Sequence, residues 1–258
     1  MKDFGLVSII TPCYNGSQFI KDAIESVISQ TYPNWELLIT DDCSTDTSVD
    51  LILPYTQKDQ RIKLFVLENN SGAAVARNKS ISEAKGRYIA FLDGDDMWLP
   101  NKLELQLQFM NKNGCALSCT SLLYCNEQGE YIGIELAPKL HSFSESLKDN
   151  RVGTTAAIYD SQKLGKIYMP LIRKRQDWAL FMTILQMGVV AYGMKQPLCV
   201  YRVGQQSLSK NKWSLIKYNI LTYKVVLGWS LVRATLYFLF VYMPHWTYKK
   251  WLMSQYNK

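Results

Sequence analysis

The chain has 258 residues, 48% hydrophobic and 20% charged, a balance that excludes a disordered protein and suits one sizeable α/β domain with an appendage. The net charge of +7 is uneven: Asp177 is the last acidic residue and residues 178–258 carry ten Lys and Arg, so the preceding part holds 19 basic against 22 acidic residues, a net of −3. Six cysteines without CxxC spacing and an N-terminus without a secretory layout fit a reduced, intracellular chain; with only two histidines, His141 and His245, any catalytic metal falls to oxygen ligands, which favours Mg²⁺ or Mn²⁺.

The first half alternates short apolar runs with segments of helical period. Leu6–Thr11 is predicted as a buried strand ended by Pro12, followed by a helix that Ser17 caps and that shows Ile20, Ile24, Val27 and Ile28 on one face. Glu36–Thr40 and Ile62–Leu67 read as strands, Ser71–Ala84 as a helix, Tyr88–Leu92 as a strand running into Asp93-Gly94-Asp95-Asp96, and Asn101–Asn111 as an amphipathic helix. This alternation predicts an α/β fold with a mainly parallel sheet flanked by helices. Beyond Gly114, Leu117–Tyr124 and Tyr131–Ile134 form a hairpin around NEQG, Gly153–Tyr159 is another strand, and Trp178–Met187 is helical. Leu136–Asn150, containing His141, is read as a mobile loop near an acceptor, and no linker is visible before about residue 205.

Ligands of open α/β sheets bind at the carboxyl ends of strands, and TPCYN, DDCSTD and DGDD each follow a predicted strand directly. Three segments therefore converge on one sheet edge. In DGDD, three carboxylates within four residues repel one another, which favours a divalent cation or raised pKa values. Arg77, near the start of a predicted helix, suits a diphosphate, although alone it reads as an ordinary surface arginine. Asp41 and Asp42 can accept from a nucleobase or ribose, while Ser44 and Asp46 suggest helix capping in the same place. Asp177 opens a helix and could take a proton from an acceptor hydroxyl; alone it is a helix N-terminal carboxylate.

Taken together, TPCYNG, ELLITDDCSTD, GAAVARN, YIAFLDGDDMW and RKRQDW resemble, in order and spacing, the family 2 glycosyltransferases of GT-A (Rossmann-like) fold, over about residues 5–205, and in particular the bacterial enzymes of surface polysaccharide assembly. The resemblance implies an inverting glycosyltransferase that moves a sugar from a nucleotide-sugar, usually a UDP-sugar, to a saccharide hydroxyl with help from Mn²⁺ or Mg²⁺. Donor contacts fall to Thr11, Pro12, Tyr14, Asn15, Asp41, Asp42, Arg77, Asp93 and Asp95, with Thr11, Tyr14 and Asp42 on the base and Arg77 near the base or diphosphate. The metal falls to Asp95 and Asp96, with the direct ligand open between them. Gln176-Asp177-Trp178 matches the family's (Glu/Gln)-Asp-Trp/Tyr motif, which makes Asp177 the catalytic base and sets Gln176 and Trp178 beside the substrate. Cys13 within TPxYN is a departure at a position where the family varies.

Residues 206–258 fall outside that catalytic domain of residues 1–205. They form a basic, aromatic, helical extension containing Trp213, Trp229, Trp246 and Trp251 with Lys210, Lys212, Lys217, Lys224, Lys249 and Lys250. Arg233 interrupts Leu227–Met243, leaving no span long enough to cross a bilayer, so the extension is read as lying on an anionic membrane surface, or else as a cap folded back on the core. The protein is then cytoplasmic, peripheral on the inner face of the membrane, with a lipid-linked saccharide as acceptor. A nucleotide-sugar nucleotidyltransferase would show a Gly-rich basic loop after the first strand, a dinucleotide enzyme GxGxxG there, and a nucleic-acid binder lysines less mixed with apolar residues. No nucleic acid is expected.

Overall fold

The computed structural model describes residues 2–204 and 212–256. In chain order it contains β1 (Val7–Cys13), α1 (Ile20–Ile28), β2 (Trp35–Asp41), α2 (Ser48–Lys58), β3 (Ile62–Val66), α3 (Ala73–Glu83), β4 (Tyr88–Phe91), β5 (Met97–Trp98), α4 (Lys102–Asn113), β6 (Leu117–Cys125), β7 (Tyr131–Glu135) and β8 (Leu140–His141). There follow α5 (Phe143–Ser146), β9 (Ala157–Asp160), α6 (Ser161–Leu164), α7 (Gln176–Gln186), β10 (Ala191–Arg202), α8 (Lys212–Leu227), α9 (Leu231–Tyr237) and, after a π-helical turn at Phe238–Tyr242, α10 (Met243–Tyr256).

One mixed sheet runs β3-β2-β1-β4-β9-β6-β10-β5. The first four strands are parallel, β9 is antiparallel to both β4 and β6, and β10 is again parallel to β6. Nearly every residue of β1, and every residue of β2 and β4, is buried, because crossover helices cover the sheet; such strands read as continuous apolar runs rather than alternations. The expected hairpin is present as β6 and β7, with Leu122 opposite Glu135.

Several local expectations change. Ser17 does not cap α1: its N–H donates to Asp46 Oδ2 at 3.0 Å, and the helix starts at Ile20 without a side-chain cap. Ile28 is exposed. The first part of 153–159 is a 3-10 turn at Thr154–Ala156, and the strand begins at Ala157. Segment 136–150 is not featureless: β8 pairs with β10, and Ser142 and Glu145 form a capping box on α5, where two otherwise unpaired N–H groups are satisfied reciprocally. His141 is buried there, and burial lowers its pKa.

The C-terminal helices fold back on the catalytic domain. Trp178 of α7 is the hub: its ring centroid lies 5.5 Å from that of Tyr223 and 5.6 Å from that of Tyr242. Tyr223 in turn contacts Trp229 and Tyr237 at 5.6 and 5.3 Å. Edge-to-face and offset rings at these distances add cohesion beyond the area they bury. The expected division near residue 205 lies outside the described residues, as does Lys210.

Candidate active site

The carboxyl ends of β1, β2 and β4 supply three loops, and short polar side chains bind the first two together. Asn15, in the left-handed region at φ 48°, donates its N–H to Ser44 Oγ at 2.9 Å, and its Oδ1 accepts from Thr45 N at 2.8 Å. Gly16 N donates to Ser48 Oγ at 2.8 Å, and Asp42 N donates to the Cys13 carbonyl at 2.8 Å. Asn is among the few non-glycine residues that tolerate this backbone region. Asn15 therefore positions the loops, while Tyr14, about half exposed, stands at the mouth of the cleft. Thr11 is buried and its Oγ1 lacks a hydrogen-bond partner. Pro12 lies beside it in β1, and a Cβ on Gly94 would come within 3.1 Å of the Pro12 carbonyl, so glycine lets the acidic turn lie against β1. Burial, and then the charge of Asp41, push the Cys13 thiol up to about 12, which makes it an inert filler.

Asp41 and Asp42 are both buried. Asp41 accepts the Ser44 N–H at 2.8 Å and also the Ser44 hydroxyl. Asp42 accepts the N–H groups of Ser71 and Gly72, each at 2.7 Å, where Gly72 (φ 93°) precedes α3. The capping that the sequence placed on Ser44 and Asp46 is therefore shared: Asp46 accepts from Ser48 N at the start of α2, whereas Asp42 serves α3.

Arg77, on α3, is buried and donates to Asp93 Oδ1 at 2.5 Å; its Nε has no partner. Burial, and then the neighbouring Asp93 charge, raise the Asp95 carboxyl to about 6. Asp96 differs from its neighbour. It is buried, its Oδ1 accepts the Arg202 N–H at 2.9 Å, and burial followed by the charges of Asp95 and Asp93 raises its pKa well above the carboxylate range. Its Oδ1 is thereby held by the main chain of β10, while its Oδ2 is buried without a hydrogen-bond partner.

Arg202, at the end of β10, was not legible as a site residue. Its Nε donates to the Asp95 carbonyl at 3.1 Å, its NH2 pairs with Asp22 Oδ2 at 3.0 Å, and its guanidinium lies 4.3 Å from the Phe19 ring centroid. It locks the acidic turn from behind. The available signal was a lone arginine closing an apolar strand.

Asp177 sits half-buried in the first turn of α7, and its Oδ2 accepts from Asn150 Nδ2 at 2.9 Å. Arg175 before it holds φ 65°, a strained conformation for a non-glycine residue of the kind that clusters at functional sites. Gln176 is buried with its Oε1 unpartnered. Trp178 is 1% exposed and donates its indole N–H to the Ser146 carbonyl at 2.7 Å, so it packs beneath the site while also lining a cavity with Asn150 and Arg175. Burial raises the phenol pKa of Tyr201 in β10, a residue the sequence did not single out, and the charges of Asp96, Asp93, Asp95 and Asp177 raise it further.

The arrangement has counterparts among known proteins. The family model "Glycosyl transferase family 2" matches residues 8–166. The chain is 42% identical to TuaG of Bacillus subtilis, named as a teichuronic acid biosynthesis glycosyltransferase, covering 89% of this chain and 92% of that protein. It is 38% identical to the Escherichia coli UDP-Glc:alpha-D-GlcNAc-diphosphoundecaprenol beta-1,3-glucosyltransferase WfgD, covering 84% of each. The fold matches S. aureus TarS, solved in complex with UDP-GlcNAc, with a TM-score of 0.69 at 18% identity over 91% of this chain and 73% of that one. The loops that close on one sheet edge, the acidic turn after β4 and the extent of these matches have one common account: the chain belongs to glycosyltransferase family 2.

Proposed function

We propose that the protein is an inverting, metal-assisted transferase that moves a sugar from a UDP-sugar to a hydroxyl of a lipid-linked saccharide, in bacterial surface polysaccharide assembly. The observation that carries this reading is the meeting of three loops at one sheet edge: those after β1 and β2, tied together by Asn15 and Asp42, and the acidic turn after β4, joined to α3 by the Arg77–Asp93 pair. The base would rest near Tyr14, with Thr11 buried behind it and Asp41 and Asp42 shaping the loops around it. Arg77 would face the diphosphate while holding Asp93.

The donor set suits a hard cation. Asp93 and Asp95 are oxygen donors close enough for one to raise the pKa of the other, and no cluster of three or more acidic, His or Cys side chains forms a complete cage among the described residues. One or two carboxylates with phosphate oxygens are the usual holders of Mg²⁺ or Mn²⁺ at such sites. Asp95 would be the ligand, since Asp96 faces the main chain of β10. A cation bound there supplies positive charge against the leaving diphosphate. Asp177, oriented by Asn150, takes the proton from the acceptor hydroxyl as that oxygen attacks the anomeric carbon, and UDP departs with the bonding pair of the broken C–O bond.

No helix among the described residues is long and apolar enough to cross a membrane. Instead, Leu231, Val232, Leu236, Leu239 and Phe240 are all exposed along α9 and the turn after it. With no acidic residue after Asp177, this face suits an anionic bilayer surface, here the cytoplasmic leaflet.

Calorimetry of UDP with Mn²⁺ and then with EDTA tests the donor reading. Wild type and Asp96→Asn should bind comparably and only with metal, and Asp95→Asn should lose at least about tenfold in affinity. Absence of UDP binding to wild type under both conditions overturns the assignment.

A further inference from the structure

A second chamber adjoins the catalytic base. A cavity of about 300 Å³ opens between the start of α7 and α10, and none of the residues of the acidic turn lines it. Its walls carry three cations, Arg175, Lys249 and Lys250, against a single carboxylate, Asp149, which is ion-paired to Lys249. Aromatic rings complete the wall: Lys250 rests 4.1 Å from the Trp246 ring centroid, and Tyr242 lies on the same side. Arg175 is fixed in its strained backbone conformation, with its Nε donating to Asn219 Oδ1 at 2.9 Å. The chamber touches the chemistry through Arg175 and Trp178, which bracket Gln176-Asp177, and through one hydrogen bond. Asn150 lines it and donates to Asp177 Oδ2 at 2.9 Å.

This is an unusual investment for a helical cap. Cations gathered around a void cost self-repulsion, and stacking on aromatic rings returns only part of it. A phosphate group offsets that repulsion and accepts from guanidinium and ammonium donors together. Because a ligand here sits one side chain from the proposed base, it belongs to the acceptor rather than to the donor.

We propose that this cavity binds the phosphate or diphosphate through which the acceptor saccharide is joined to its carrier, with Arg175, Lys249 and Lys250 as the anion-binding groups and Trp246 and Tyr242 against the adjoining apolar or sugar portion. The inference rests on the transferase reading above and names the acceptor chemistry of that site. It also explains why the base, the cations and the exposed apolar face of α9 all meet in one cap: an acceptor anchored in a bilayer would present its phosphate at the height of the lysines.

The test is a binding titration on the full chain, read by tryptophan fluorescence and by calorimetry, with UDP and Mn²⁺ saturating so that the donor site is filled. The probes are a monosaccharide on a short alkyl diphosphate, the same monosaccharide as a neutral alkyl glycoside, and inorganic pyrophosphate. Wild type should bind the alkyl diphosphate sugar at least about tenfold more tightly than either other probe, and K249Q/K250Q should erase that preference, with UDP affinity unchanged. Equal binding of the diphosphate and neutral probes overturns the proposal, as does an unaltered preference in K249Q/K250Q. Pyrophosphate binding as tightly as the alkyl diphosphate sugar also overturns it, since the site would then serve a free anion. If UDP fails to bind, the donor reading falls by itself, while the titration repeated without UDP still reads the cavity through the same variant. Should K249Q/K250Q fold poorly, K250Q alone serves, because Lys250 is exposed.

Discussion

The two sides of the cleft, proposed for donor and for acceptor, are held by different forces. On the donor side, loops at the ends of β1 and β2 and the start of α3 are fixed by main-chain N–H groups donated to Asp41, Asp42, Asp46 and Asn15 over 2.7–3.0 Å. On the acceptor side, α7 is fixed to α8–α10 by rings gathered around Trp178. The first kind of order is local, short-range and directional. The second is a product of burial, and it brings residues together across long stretches of chain. The difference predicts that substitutions on one side leave the other largely working.

The largest effect should come at the point where the two sides meet. Asp177→Asn keeps the hydrogen-bonding outline of the side chain but removes its capacity to take a proton. Transfer should fall by about 10²–10⁴-fold, with UDP affinity close to wild type. Unimpaired turnover would remove Asp177 from the mechanism, and a parallel loss of UDP binding would show that the two sides are not separable.

Trp178→Ala probes the acceptor side as a folding unit. The indole is 1% exposed and is the hub of the ring cluster, so its removal should cost about 3–5 kcal/mol in denaturant unfolding. A loss below about 1 kcal/mol would show that the cap is held by contacts other than the rings.

The same contrast explains what the sequence could convey. The strands β1, β2 and β4 were legible because strands covered on both faces are uninterrupted apolar runs, and their polar tails mark the sheet edge. The family motifs located Asp93, Asp95 and Asp177 in order. They did not set Asp95 apart from Asp96, whose surroundings differ because Arg202, 106 residues further along, donates its N–H to Asp96 Oδ1. Trp178 follows Asp177 in the motif, yet successive helix positions point in different directions, and this one points into the cap, where it packs among the rings and lines the cavity. Asn150 was invisible for a related reason. Its role arises from a hydrogen bond to Asp177 across 27 residues that no local period encodes.

Lys102, the first residue of α4, is fully buried, with its Nζ 3.6 Å from the Trp98 ring centroid and without a hydrogen-bond partner. Burial lowers its pKa from 10.5 to about 7. Within that window the unfolded chain holds a proton that the folded chain lacks, so stability rises with pH, and the cost is fully present at and below pH 7. Lys102→Met should stabilise the protein at neutral pH by about 1–4 kcal/mol, with the gain shrinking towards about pH 10. A gain that does not change with pH would mean that Lys102 is not titrating in this window, and a loss would mean that its contact with Trp98 outweighs its burial.

The smallest effect, and the one that most sharpens the contrast, concerns the outer face of the cap. Val232, Leu236 and Phe240 follow one another at four-residue spacing, so they share one face, and all three are exposed. If this face meets a bilayer, Phe240→Ser should weaken co-sedimentation with anionic vesicles by about 1–2 kcal/mol of partitioning, since roughly one large apolar side chain is withheld from the interface. Raising the salt should weaken wild type and variant alike, because it screens the basic residues and leaves the apolar contribution in place. UDP binding should not change, as α9 packs chiefly on α8 and the π-helical turn while the donor loops follow β1, β2 and β4. Equal binding of wild type and variant at every salt concentration would assign the attraction to charge alone, and the apolar face would then have no part in membrane contact.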